Sequence, residues 1–338
     1  MMPVGTGQMT FDIGRRQFIS VLGGAASLAW PLAARAQQPA MPVVAFINSG
    51  SPITSARYAA AFRTGLSETG YVEGQNVTVD YQWLEGKYDR VSALITDLVR
   101  RQVAVIITPG SDAAALAAKA ATATIPIVFG VGGDPVQLGL VASLARPGGN
   151  ATGINIFDQE VMGKRLRLLH DLVPKAVRVG VLVNPTNPST TETTLREVQK
   201  AAHTIGLQIQ ILKATTIGEI YAAFAHERLD ALFVAADGFF NSRRVQFAIL
   251  AAHDSIPVAF SDSSYVEVGG LMSYGTNVAE LFRRVGVYTG RVLNGTKPAD
   301  LAVTQFTKFE FVINLQTARA LHIVVPPAVL AIADEVIE

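Results

Sequence analysis

Val103-Ala104-Val105-Ile106-Ile107-Thr108, then Pro109-Gly110-Ser111, then the alanine-rich run Asp112–Ala121, then Ile125-Pro126-Ile127-Val128-Phe129: this stretch decides the fold. A short apolar run closed by a Pro-Gly turn reads as a strand buried on both faces. The run that follows is rich in a strong helix former, with Ser111 placed to cap it. A second apolar run then returns. Strand, helix and strand in that order, all apolar, describe a parallel sheet covered on both sides by helices.

The same rhythm extends in both directions. Upstream, Val43–Ile47 is a buried strand ending in Asn48-Ser49-Gly50-Ser51-Pro52, and Thr54 opens a helix that stops near Thr69 and Gly70. Val77, Val79, Tyr81 and Trp83 alternate as a strand with one buried face, and a helix near Tyr88–Arg101 follows. Downstream the pattern breaks at Arg146-Pro147-Gly148-Gly149-Asn150 and restarts. Strands are expected at Val177–Val183, Gln208–Leu212, Ala231–Ala235 and Pro257–Phe260, with helices near 189–205, 216–226 and 241–253.

The fold class is therefore α/β, with two doubly wound parallel-sheet lobes joined by a multi-crossover hinge. The first lobe takes residues 37–155 plus about 275–298, the second 156–274 plus about 299–338. Crossovers are expected around 150–158 and near Gly269–Gly275, followed by a strongly amphipathic helix at Val278–Leu293. Phe309–Leu315 and Pro327–Glu338 supply one more strand and a terminal helix. Lobes joined by several strands of chain can open and close with few contacts changing.

The first 36 residues stand apart. Arg15-Arg16-Gln17-Phe18-Ile19 precedes an uncharged run from Ser20 to Ala34, and Ala34-Arg35-Ala36 is a small-x-small cleavage site. This is an export signal of twin-arginine type, or an ordinary secretory signal with two basic residues. Cleavage after Ala36 leaves Gln37 as the mature N-terminus, and the mature chain is expected in the periplasm. Of the 28 Lys and Arg, three lie in this stretch, and of the 27 Asp and Glu, one does, leaving 25 against 26. That balance argues against nucleic acid as a partner, because phosphate neutralisation needs a basic excess. The chain has no cysteine, which excludes disulfides, thiolate-bound zinc and thiol nucleophiles.

In open parallel sheets, ligands sit beyond the carboxyl ends of the strands. The loops expected to face the cleft are 48–52, 108–112, 130–135, 184–190, 236–241 and 261–265. Ser, Thr, Asn, Gly and Asp dominate them. Gly110 lets backbone approach a ligand, and Ser111 opens a helix whose free amides favour a carboxylate; the same residues also make an ordinary cap. Asp237, just past an apolar strand, is placed to meet a ligand ammonium or to cap a helix. Gly130-Val131-Gly132-Gly133-Asp134-Pro135 lacks the G-x-G-x-x-G spacing and reads as loop geometry. Trp83, Phe239, Phe240, Tyr265 and Tyr274 are candidates to stack on a planar ligand or to fill the core.

Signatures of catalysis are absent: no G-x-x-x-x-G-K-[ST], no H-E-x-x-H and no G-x-S-x-G. His170, His203, His226, His253 and His322 fall within or near helices, away from the cleft loops. Glu85, Tyr88 and Asp89 read as a solvated loop opening a helix.

Tyr71-Val72-Glu73-Gly74-Gln75-Asn76-Val77 follows the first helix, and Gly133-Asp134-Pro135-Val136 is followed by Gly139-Leu140-Val141. Pro147-Gly148-Gly149-Asn150-Ala151-Thr152-Gly153, Ser273-Tyr274-Gly275 and Ala333-Asp334-Glu335-Val336-Ile337-Glu338 complete a set. With these the chain resembles the ABC-transporter substrate-binding proteins of the tryptophan/tyrosine type, from the signal to the C-terminus. The resemblance implies a type I periplasmic binding fold, capture of a small organic solute between the lobes, and delivery to an ABC permease in the inner membrane. It implies a monomer with no catalytic residue, cofactor or metal. Carried over by position, its ligand-binding residues are Ser49, Ser51, Gly110, Ser111, Asp134, Asp237 and Tyr274. Two alternatives share the fold: a receptor that signals to a membrane protein, and a cleft enzyme using Asp237 and Ser111.

Overall fold

The computed structural model describes residues 41–156, 158–225 and 229–338, together with residues 1, 3 and 5. The expected export signal lies almost wholly outside the described residues, as does His226.

From Pro42 onward the chain forms two α/β layers. The first holds β1 (Val43–Asn48), α1 (Ala56–Ser67), β2 (Thr78–Trp83), α2 (Val91–Arg100), β3 (Val105–Pro109), α3 (Asp112–Ala121), β4 (Ile127–Val131) and β5 (Ala151–Ile156). The chain then enters the second lobe through α4 (Asp158–Leu172), β6 (Arg178–Val183), α5 (Pro188–Ile205), β7 (Gln208–Lys213), α6 (Ile217–Phe224) and β8 (Ala231–Val234). α7 (Gly238–Asn241), α8 (Arg244–His253), β9 (Val258–Phe260), α9 (Ser263–Glu267) and β10 (Met272–Thr276) complete it. α10 (Val278–Leu293) returns to the first lobe and leads to β11 (Thr304–Phe306). Last come β12 (Phe309–Asn314), α11 (Leu315–Ala320), α12 (Pro327–Leu330) and β13 (Glu335–Ile337).

Strand order is β11-β5-β4-β3-β1-β2 in one sheet and β13-β12-β10-β9-β8-β6-β7 in the other. Period-2 alternation explains how each sheet is covered twice. Val44 and Phe46 face Phe62 and Leu66 of α1 and Phe282 and Val285 of α10. Ala45 and Ile47 face the other way, onto Ile95 and Leu98 of α2 and Ala114 and Ala118 of α3. In the second lobe Val179, Val181 and Phe233 pack on α4 and α5, while Leu182, Leu232 and Phe260 pack on α6 and α8. Each fully buried phenylalanine in these layers contributes about 2–3 kcal/mol of burial.

Four features differ from the sequence expectation. β5 and β10 are strands where only crossovers were expected, because Ala151-Thr-Gly-Ile-Asn-Ile and Met272-Ser-Tyr-Gly-Thr are too small and polar to stand out as apolar runs. Every residue of both is nevertheless buried, since each is an inner strand of its sheet. β11 pairs in parallel with β5, so residues 304–306 belong to the first sheet although the expectation placed them with the second lobe. The second sheet is not wholly parallel: β12 runs antiparallel to β10, with Tyr274 opposite Phe311. The expected terminal helix at 327–338 is one turn, α12, followed by the strand β13.

Both sheets reverse direction of growth next to their first strand. β1 lies between β2 and β3, and β6 lies between β7 and β8. Chains leaving the carboxyl ends of neighbouring strands on either side of such a point diverge and leave a crevice. The loops after β1, β3, β6 and β8 therefore frame one.

Candidate functional site

A cavity of about 170 Å3 occupies that crevice. All six loops expected from the sequence contribute to its wall, through residues such as Ser49, Gly110, Gly132, Asn187, Asp237 and Asp262. The apolar part comes from Ile156 and from two helices of the first lobe: Tyr58 on α1 and Val278, Leu281 and Phe282 on α10. Tyr58 and Phe282 lie with ring centroids 5.3 Å apart, and Phe46 backs Phe282 at 6.0 Å. The result is an aromatic and aliphatic wall facing a polar one.

Three carboxylates line the cavity, Asp112 and Asp262 buried and Asp237 half-buried, and each takes hydrogen bonds from the opposite lobe. Asp262, which caps α9, accepts from Tyr58 Oη at 2.7 Å and Arg57 at 3.0 Å. It also accepts from the backbone N–H of Ser264 at 2.9 Å and from the Ser264 hydroxyl. Arg57 further reaches Glu267. Asp237, which caps α7, accepts from Tyr88 Oη at 2.9 Å across the cleft. Asp112, in the first turn of α3, accepts from Gly132 and Gly133 N–H and from Ser189 Oγ of α5 at 3.1 Å.

The Asp237 carboxylate is saturated. Oδ1 accepts from Asn184 Nδ2 at 3.0 Å and Phe239 N–H at 2.9 Å; Oδ2 accepts from Tyr88 Oη and from Asn187 Nδ2 at 3.1 Å. Four donors fill the acceptor sites of a carboxylate. Burial pushes its pKa up, while Asn184, Asn187 and Tyr88 oppose the shift by bonding the charged form. Burial likewise raises Asp112, against its bonds from Gly132, Ser189 and Gly133. The Tyr88 hydroxyl stays protonated well beyond its ordinary range, first through burial and then through the Asp237 charge beside it.

The lobes also touch backbone to side chain. A Cβ on Gly238 would lie 2.5–2.7 Å from atoms of Ser49, so only glycine permits this approach.

Of the residues singled out from the sequence, Ser49, Gly110 and Asp237 line the cavity. Gly110 has φ +77°, the left-handed conformation that glycine adopts without strain. The other four do not line it. Ser51 bonds Thr54 Oγ1 at 2.8 Å, and α1 begins only at Ala56. Ser111 caps α3 through Ala114 N–H, and the negative charge at that helix end is Asp112. Asp134 closes its own turn by accepting from Val136 and Gln137 N–H. Tyr274 packs among the core residues of the second lobe, with Lys164 Nζ 4.6 Å from its ring centre. Trp83, Phe239, Phe240 and Tyr265 are likewise packing residues: Trp83 stacks on Tyr81 and Tyr265 on Phe260.

Reading the sequence missed Tyr58, Tyr88, Asp112, Arg165, Asp262 and Phe282. Tyr88 looked like part of a solvated loop, yet it is the donor that bridges to Asp237. Tyr58 and Phe282 each sit one turn inside a helix, where an aromatic residue reads as core. Spacing held one clue, for Tyr58 alone: it falls within five residues of a helix start that follows a cleft loop.

The Pro147-Gly148-Gly149-Asn150-Ala151-Thr152-Gly153 motif has a structural task. Asn150 donates to the carbonyls of Thr122 at 2.9 Å and Ile125 at 2.8 Å, clamping the entry to β4 against that of β5.

Two doubly wound lobes enclosing a ligand-sized cavity, latched by hydrogen bonds that cross it, define a two-lobed solute receptor of the type I periplasmic binding fold. The chain belongs to the ABC transporter substrate binding protein family, which matches it over residues 43–337. It is the solute-binding component of an ABC transport system, a protein that takes a small ligand between its lobes for a permease. A tyrosine-binding protein of Clostridioides difficile (strain R20291) is 29% identical over 265 residues, covering 77% of this chain and 75% of that one. The structure of an ABC domain from Streptococcus pneumonia in complex with L-Trp superposes with a TM-score of 0.79 at 26% identity, covering 88% of this chain and 99% of that one. A conserved domain protein from Vibrio cholerae superposes equally well, with TM-score 0.79, 26% identity and the same coverage.

Proposed function

We propose that this protein captures an aromatic amino acid, or a close aromatic carboxylate, in the cleft and presents it to its permease in the closed form. The observation that carries the reading is the two-sided cavity: Tyr58, Leu281 and Phe282 offer an apolar wall to a ring, and loops of both lobes offer hydrogen bonds to a polar head. The binding of tyrosine and L-Trp by relatives supports the same class. Ser49, Gly110 and Asp237 keep a place in the site. Ser49 and Gly110 contact the solute, whereas Asp237 acts through closure, since its carboxylate is already saturated.

Ligand shifts the open–closed balance by bridging walls that only the closed form brings together. Burial on both sides suits micromolar affinity, about −8 kcal/mol. No covalent step is involved: the three carboxylates serve the latches, and none of the histidines at 170, 203, 253 and 322 lines the cavity. The protein works as an exported monomer in the periplasm, directed there by residues 1–36.

A thermal-shift screen of residues 37–338 against L-tryptophan, L-tyrosine, other amino acids, aromatic acids and sugars tests the reading. A ligand that binds only the folded state raises the melting temperature with concentration. A rise with aromatic amino or carboxylic acids supports it. A rise with sugars alone, or with none of these compounds, overturns it.

A further inference from the structure

Thr276 ends β10 at the point where the chain crosses back into the first lobe. It is 7% exposed, it lines the cavity, and its hydroxyl has no hydrogen-bond partner among the described residues. A buried hydroxyl without a partner carries a desolvation cost that a fold does not retain without reason. Two positive features lie beside it. The 16-residue helix α10 starts at Val278, also in the cavity wall; Asn277 Oδ1 caps the Glu280 N–H, and the first two amides, of Val278 and Ala279, have no acceptor within the helix. Arg165 of α4 is 2% exposed and is the single cation among the described residues that line the cavity. Its Nε donates to the carbonyl of Tyr274, two residues before Thr276, at 2.7 Å, which fixes the guanidinium against this strand.

Both candidate helix ends carry a side-chain cap and an acid in the first turn. At α3 these are Ser111 and Asp112, whose carboxylate accepts from Gly132 and Gly133 N–H in and beside the cavity wall; at α10 they are Asn277 and Glu280, whose carboxylate is taken up by Arg283 and Arg284.

We propose that the solute is a carboxylate and that its carboxylate is received at the hinge, by the Thr276 hydroxyl and the first turn of α10 with the Arg165 charge alongside, not at the Ser111 end of α3. The subsite rests on the reading of the cleft as a solute site and deepens it. A carboxylate held there touches the crossover itself, so one group contacts both the second-lobe sheet and a first-lobe helix. The solute's apolar body then extends from Val278 towards Leu281 and Phe282, one turn further along the same helix.

The test uses L-tryptophan and tryptamine, which differ by the carboxylate, with calorimetry on wild type, Thr276→Val, Thr276→Ser and Ser111→Ala. Removing a hydroxyl that bonds a charged group weakens L-tryptophan about tenfold or more. Thr276→Val is expected to show that loss for L-tryptophan with no loss for tryptamine, and Thr276→Ser to restore it. The valine variant should melt no lower than wild type without ligand, because it removes an unsatisfied group. Ser111→Ala should bind as wild type. Undiminished binding of L-tryptophan by Thr276→Val, or equal losses for both probes, overturns the subsite and leaves the solute reading standing. A wild type that binds tryptamine as tightly as L-tryptophan overturns the carboxylate preference. Wild-type protein that binds neither L-tryptophan, L-tyrosine nor phenylacetate overturns the solute reading and the subsite together.

Discussion

Tyr58 Oη donates to Asp262 Oδ2 at 2.7 Å, joining α1 of the first lobe to the end of β9 in the second, across the mouth of the cavity that Tyr58 itself lines. One side chain thus offers its ring to the solute and its hydroxyl to the opposite lobe. Binding and closure are coupled through a single residue. Burial, with the charge of Asp262, pushes the Tyr58 hydroxyl well above its usual range, so it stays a donor throughout the physiological pH range.

Tyr58→Phe keeps the ring and removes the latch. A hydrogen bond to a charged acceptor is worth about 1.5–3 kcal/mol. Affinity should fall about tenfold by calorimetry, and small-angle scattering of the unliganded variant should show a larger radius of gyration. Unchanged affinity would detach the latch from binding.

Gly238→Ala places a methyl group against Ser49 of the other lobe. Overpacking costs about 1–3 kcal/mol in a core that cannot relax. Here the lobes can part, so the cost falls on the closed form alone. Affinity should drop at least about tenfold while the melting temperature without ligand moves by no more than a degree or two. A large fall in that melting temperature would mean that closure and folding are not separable at this contact.

Asp237→Ala behaves differently, because it strands the donors of Tyr88, Asn184, Asn187 and Phe239 and removes the cap of α7. Unpaired buried donors and a lost cap together cost about 2 kcal/mol or more. Denaturant unfolding should show that loss along with weakened binding. Ser111→Ala, by contrast, should cost about 1 kcal/mol through its cap and leave affinity unchanged, since Ser111 does not line the cavity.

Glu280 in the first turn of α10 is held down to about 2, first by its bonds from Arg283 and then by Arg284. A folded-state pKa below the unfolded value of about 4.3 contributes stability that is present above that value and lost as pH falls towards 2. The melting-temperature gap between wild type and Glu280→Gln should therefore be widest above pH 5 and close on acidification. Because the group is partly exposed to solvent, high salt should narrow it as well. A gap that does not change between pH 6 and pH 2 would refute the ion-pair origin.

Much of the architecture was legible because it is local. Val43–Asn48, Val105–Pro109 and Ala231–Val234 announce themselves as short apolar runs, and α10 begins and ends at the residues its amphipathic pattern marks. β5 and β10 escaped because their small and polar residues are buried by neighbouring strands and not by their own hydrophobicity. Within the site, the six loops were found from strand ends alone, whereas Ser51, Ser111, Asp134 and Tyr274 have side chains turned to tasks within their own lobe. Asx turns and caps use the same residue types as ligand contacts, and composition does not separate the two.

By itself the sequence determined the two α/β lobes, the loops at their facing ends and the residue chemistry available there, since hydrophobic periodicity and turn residues act over a few positions. Only the tertiary structure decided that Tyr88 meets Asp237, that Tyr58 meets Asp262, that β11 completes the first sheet and that Thr276, its hydroxyl unpartnered among the described residues, comes to the cavity wall. Those pairings join segments up to about 200 residues apart. They are selected by how two sheets twist and cross, a geometry that no short window of sequence encodes.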